Sequence, residues 1–202
     1  MKYPENIRDI SEIEPDYLGL IFYEKSPRFF DDDLPEISPF IKRVGVFVDE
    51  SYEFIKEKIS KYQLDLIQLH GNETYEFCYT ISDLKIPIIK SFPISTKFDF
   101  DILEDYEYVV DYFLFDSLGK NPGGNGIIFN WKSLERYKLT IPYFLSGGIG
   151  LTEIDSIAEL LKKDCGRYCF AIDVNSRFEI RAGLKNLAKI KTFKSKLNEL
   201  KI

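Results

Sequence analysis

Tyr112-Phe-Leu-Phe-Asp116-Ser-Leu-Gly-Lys-Asn-Pro-Gly123-Gly124-Asn-Gly126-Ile-Ile-Phe-Asn130-Trp131 is the stretch on which the reading of the chain turns. Its first residues form an apolar, aromatic-rich run that fits a strand buried on both faces, and the run ends on a single carboxylate, Asp116. The glycines that follow let backbone N–H groups approach an anion closely. Asn130 can cap a helix opening at Trp131, whose positive end then faces the same ligand. One strand and its loop thus place an acid beside half of a phosphate cradle. The competing reading is a glycine-rich loop after a strand whose last Asp only helps form a turn, and this window alone leaves the two evenly matched.

Working outward, the pattern repeats. Ile141-Pro-Tyr-Phe-Leu-Ser146-Gly147-Gly148-Ile149-Gly150 is a second strand followed by paired glycines, with a helix expected over residues 152–161. A strand over 168–174 delivers Asp173, Asn175 and Ser176, and a closing helix is expected from about 184 to 200. Upstream, Pro4 fits the first turn of an opening helix with Ile7, Ile10 and Ile13 on one face. Strands are expected over 16–22, 43–48, 64–69 and 86–92, the first followed by Lys25-Ser-Pro-Arg28 and the third by His70, the only histidine. Helices are expected over 52–62, 72–82 and 98–108. Pro35 and Pro39 allow at most a short irregular helix between 31 and 40.

Seven strands alternating with helices, and candidate polar residues after nearly every strand, argue for a (β/α)8 TIM barrel with one strand unaccounted for. A doubly wound sheet accepts seven strands, but its ligands gather at one switch point. The chain is expected to be a single domain over residues 1–202.

Composition narrows the partners. With 202 residues, 45% hydrophobic, the chain buries a large core, and a net charge of −6 with dispersed Lys and Arg argues against nucleic acid or an anionic membrane surface. Any phosphate ligand should be small. Three cysteines, with no signal peptide or long apolar segment, fit a reducing cytoplasmic setting. Cys165 and Cys169 are poorly spaced for a metal, so no metal site is expected.

The segments Gly19-Leu-Ile-Phe-Tyr-Glu-Lys-Ser-Pro-Arg28, Val44-Gly-Val-Phe-Val48, Gln68-Leu-His-Gly71, Gly123-Gly-Asn-Gly126 with Phe129-Asn-Trp131, Leu145-Ser-Gly-Gly148 and Asp173-Val-Asn-Ser-Arg-Phe-Glu179 resemble, in order, the phosphoribosylanthranilate isomerase family of tryptophan biosynthesis. The resemblance implies a single barrel that performs an Amadori rearrangement of a phosphorylated sugar-anthranilate substrate without metal or organic cofactor. It implies that Asp116 is the general acid that opens the ribose ring, a role that requires a carboxyl pKa raised by burial among Phe113 and Phe115. It assigns the anthranilate end to Arg28 and the lining of the site to His70 and Asp173. Gly124, Gly126, Gly147, Gly148, Asn175 and Ser176 are assigned to the phosphate, and the state is expected to be monomer or homodimer.

Family members begin with a strand bearing a Cys-Gly whose thiol is the general base. No such segment precedes the helix here, so the chain is expected to lack that strand and to turn over poorly. Two other readings stand beside this one. In the first, Lys90 serves a neighbouring phosphosugar barrel chemistry; in the second, the chain is a non-catalytic phosphosugar binder.

Overall fold

The structure, a computed structural model, describes residues 1–117 and 129–200. Helix α1 (Pro4–Ser11) leads into strand β1 (Tyr17–Ile21). There follow β2 (Lys42–Phe47), α2 (Tyr52–Tyr62), β3 (Leu66–Leu69), α3 (Tyr75–Ser82), β4 (Ile88–Ile94), β5 (Tyr112–Ser117), β6 (Tyr143–Leu145), α4 (Ile154–Leu161) and β7 (Cys169–Ile172). A hairpin of β8 (Glu179–Arg181) and β9 (Leu184–Lys185) precedes the last helix, α5 (Leu187–Glu199). The first seven strands make one parallel sheet in chain order.

Side chains alternate across each strand, and that alternation separates two cores. Val44, Leu66, Ile89, Leu114 and Phe144 form a compact layer on the concave face, with Tyr17, Tyr112 and Ala171 packed against it. Their neighbours in sequence, including Phe47, Ile67, Phe113, Phe115 and Leu145, point the other way. They pack under the helices against Ile7, Ile55, Ile81 and Ile157. The sheet curls until its ends meet at their amino termini: the Tyr17 ring of β1 lies 5.3 Å from Phe144 of β6 and 6.3 Å from Phe170 of β7. Among the described residues no ladder joins β1 to β7. The outer edge of β1 is partly covered, because Gly19 O accepts from the Met1 amino nitrogen at 2.6 Å and Ile21 O accepts from Phe30 N at 2.8 Å.

Local chemistry sets the helix starts. The side chains of Ser51, Thr74 and Asn186 accept from backbone N–H groups of Phe54, Phe77 and Lys189 respectively. The Asn186 cap corrects the closing helix: it starts at Leu187, and Leu184 and Lys185 belong instead to β9, reached through Gly183 at φ +80°. The helix expected over 98–108 is a 3-10 helix, Phe100–Tyr106. Asp101 and Asp105 would repel at i,i+4, and no basic residue lies in that segment to offset them. Asn130 does cap at Trp131, its side chain accepting from Lys132 N at 3.1 Å, but over a 3-10 helix, Trp131–Arg136. No described helix is long and apolar enough to cross a membrane.

Candidate active site

A cavity of about 630 Å³ reaches from the carboxyl ends of the strands down to their amino ends beside β1 and β7, where Ile10 and Ile13 of the opening segment and Ile190 and Phe193 of α5 also line it. Asp116 ends β5 on the same face as Leu114, and its carboxylate lines this cavity together with His70, Asp173, Arg28, Gly147 and Gly148. Asp116 Oδ1 accepts from Ser117 N at 2.7 Å, and Oδ2 lies 3.5 Å from His70 Nε2. The Gln68 side-chain amide, two residues before His70 on the same strand face, is 2.8 Å from His70 Nδ1. With the amide N–H donating, Nδ1 accepts and the proton of the neutral ring sits on Nε2, turned toward Asp116.

Gly147 makes the closest approach. It adopts φ +91°, and a methyl group on it would stand 2.8 Å from Asp116 Oδ1 and 2.5 Å from Ser117 N. Only glycine fits, so the loop after β6 presses directly on the acid of β5.

Asp173 is partly buried beside them and accepts from Ser146 Oγ at 3.1 Å. Burial and the nearby Asp116 charge push its carboxyl above the ordinary value, against the pull of Lys185, Ser146 and His70. A pair of close carboxyls, one of which resists ionisation, is suited to holding and releasing a proton. Phe113 and Phe115 are not the walls of Asp116, contrary to expectation. The two-residue period of the strand sends both rings to the helix side.

Across the cavity lies a cationic corner. Arg28 Nε is 2.9 and 3.1 Å from the two Glu179 oxygens, and its Nη2 is 2.7 Å from Oε2. Lys185 Nζ donates to Asn175 Oδ1 at 2.5 Å and to Glu179 Oε1 at 3.2 Å. Asn175 therefore spends its side-chain oxygen on Lys185. Ser176 lines the cavity at the start of a single 3-10 turn, Ser176–Phe178. Gly124 and Gly126 lie outside the described residues.

The residues that sequence reasoning passed over are Gln68, Ser146, Glu179 and Lys185. Gln68 and Ser146 were detectable from the two-residue period leading to the strand ends. Glu179 stood in a quoted segment without a role, and Lys185 was hidden by its placement in a helix.

The thiols and Lys90 fall elsewhere. Cys169 borders the cavity, but four residues before Asp173, about 13 Å lower along the strand, and burial pushes its thiol up to about 12. Cys78 is buried behind the sheet, its thiol likewise pushed to about 12 by burial. Neither is a thiolate at neutral pH. Lys90 follows the inward-facing Ile89 and so points outward, where its Nζ donates to Glu73 Oε2 and Gly71 O, both at 2.9 Å. That position removes the reading in which Lys90 serves as the catalytic group at the mouth.

Residues 1–196 match the family profile of N-(5'-phosphoribosyl)anthranilate isomerase. The chain belongs to this family. It is 42% identical over 201 residues to the N-(5'-phosphoribosyl)anthranilate isomerase of Parabacteroides distasonis, spanning 96% of this chain and 88% of that one. Among solved structures, the isomerase of Thermotoga maritima superposes with a TM-score of 0.80 at 30% identity, covering 98% of this chain and 95% of the other. A phosphoribosylanthranilate isomerase in complex with reduced 1-(o-carboxyphenylamino)-1-deoxyribulose 5-phosphate gives 0.75 at 29% identity over 98% and 95%. The curled seven-stranded sheet is thus the barrel architecture of the isomerase family.

Proposed function

We propose that this chain is a phosphoribosylanthranilate isomerase and that its chemistry is centred on Asp116. The observation behind the reading is the convergence of one strand-end carboxyl, a bidentate-capable Arg and a positive-φ glycine pair on one cavity. Asp116 in its neutral form gives its proton to the ribose ring oxygen as the C1–O bond breaks. The nitrogen lone pair of the anthranilate forms the imine, and the ring-opened hydroxyl keeps the transferred proton. Removal of the C2 proton then yields the enamine, which tautomerises to the 1-amino-2-ketose; no redox partner is needed because C1 is reduced as C2 is oxidised.

His70 and Asp173 hold Asp116 and the ribose hydroxyls in register. Arg28 takes the carboxylate of the anthranilate, and the amides of Gly147 and Gly148, with Gly124, Gly126, Asn175 and Ser176, receive the phosphate. We place the whole machinery in one barrel domain over residues 1–202, working in a reducing cytoplasmic setting without metal or organic cofactor.

The open side between β7 and β1 suits one further parallel strand, and the base that takes the C2 proton belongs on it, since none of the three described thiols is suitably placed. A chain carrying Lys-Val-Cys-Gly ahead of Met1 should therefore turn substrate over faster than the same chain carrying Lys-Val-Ser-Gly. Equal rates would remove the thiol from the mechanism. The central assignment is tested by isothermal titration with the reduced product analogue, which should bind at one site per chain; absence of binding would refute the phosphosugar reading.

A further inference from the structure

The isomerase reading assigns Arg28 to the substrate carboxylate but gives no role to the buried groups that hold it. Glu179 and Lys185 are both nearly inaccessible, with side chains 4% and 8% exposed. Glu179 spans the side edge of the Arg28 guanidinium through Nε and Nη2. A guanidinium has two edges that can each grip a carboxylate in two-point fashion, and the end edge, Nη1 with the second proton of Nη2, is left for a ligand by the described residues.

The same Glu179 oxygen that meets Arg28 Nε also accepts from Gly183 N at 3.0 Å and from Lys185 Nζ at 3.2 Å. Lys185 is itself clamped through its backbone: Asn6 accepts from Lys185 N at 2.7 Å and donates to Lys185 O at 3.0 Å. Its ammonium has three protons. Asn175 and Glu179 are its partners among the described residues, which leaves one for the cavity that it lines. Arg28 and Lys185 bring two positive charges, faced by the Glu179 carboxylate and, on the Lys185 side, by the Asp173 carboxyl.

We propose that Arg28, Lys185 and Glu179 form one subsite that selects an aryl carboxylate, with Lys185 as a second cation on the carboxylate and Glu179 as the positioning residue that turns the end edge of Arg28 into the cavity. The subsite rests on the isomerase reading, which supplies the aryl carboxylate. The two anionic ends of the substrate are then told apart by geometry. A planar carboxylate fits the fork of Arg28, while the phosphate fits backbone amides such as those of Gly147 and Gly148.

The test is calorimetric titration of the 202-residue chain with two ligands, reduced 1-(o-carboxyphenylamino)-1-deoxyribulose 5-phosphate and its analogue with an unsubstituted phenyl ring. The unaltered chain should bind the carboxylated ligand about tenfold to a hundredfold more tightly, the worth of charge-assisted hydrogen bonds. Glu179→Gln and Lys185→Gln should each shrink that ratio at least several-fold while the affinity for the phenyl ligand changes little. Because the readout is a ratio within one protein sample, partial misfolding of a variant lowers the number of sites and not the ratio. An undiminished ratio in both variants would overturn the subsite. Failure of the unaltered chain to bind either ligand would bring down the isomerase reading and the subsite with it.

Discussion

Asp116 sits where three constraints meet: the end of β5, the imidazole of His70 and the side-chain-free flank of Gly147. Replacing it with Asn keeps the shape and removes the transferable proton. Asp116→Asn should therefore lower turnover by about a hundredfold to ten-thousandfold, the span of general acid catalysis, while leaving affinity for the product analogue nearly unchanged. Steady-state rates and titration on the same sample check both halves.

Asp173 makes a different prediction. Its folded pKa lies above the ordinary 3.8, with burial the largest cause, so between 3.8 and the raised value the folded state holds a proton that the unfolded chain releases. Stability must then fall as pH climbs through that window, and Asp173→Asn should flatten this part of the profile. Urea midpoints measured across the acid range would show it.

At this scale the sequence was legible wherever a polar residue closes an apolar strand, since Asp116, His70 and Asp173, each at such an end, line one cavity. The surroundings of Asp116 were misjudged because adjacent rings in a strand face away from it.

The pairing between elements is where buried charge matters most. Lys90 of β4 reaches across to Glu73, ahead of α3, with side chains only 3% and 2% exposed. Glu73 also accepts from the backbone N–H groups of Asp49 and Gly71, tying the loops after β2 and β3 together. Lys90→Met strands the Glu73 charge and should cost about 3–5 kcal/mol in denaturant unfolding, with the Lys90→Met/Glu73→Gln double variant recovering much of it. Binding at the mouth should persist in the double variant, because the pair lies on the opposite face of the sheet.

Gly147→Ala belongs at the same scale. The left-handed φ costs about 1–3 kcal/mol, and the added methyl must displace the acid as well. Loss of stability together with loss of turnover is the expected result. The strands and α2 were evident from apolar runs and from helical period. The hairpin β8–β9 was not, because its two short strands offer too few residues for alternation to show, and its stability comes from contacts 179 residues away in α1.

For the molecule as a whole, a parallel sheet with neighbouring strands in chain order has a well-protected middle and two weaker margins. Hydrogen exchange should be slowest in β3, β4 and β5 and fastest in β1 and β7. Ligand bound across the mouth should slow exchange at both margins, since it touches loops from each. Barrel curvature was inferable from the count and spacing of strands, together with the scatter of polar residues over many strand ends. The degree of closure was not, because it depends on edge pairing that no local pattern encodes.

Chain-order topology also has a consequence for birth on the ribosome. Each βα unit docks on the one synthesised just before it, so most of the sheet can consolidate while the polypeptide is still emerging. Helix α1 is the exception: Asn6 grips Lys185, and Lys194 holds the carbonyls of Ile13 and Glu14 just beyond that helix. The last contacts of α1 must therefore wait until residues 185 and 194 have been made.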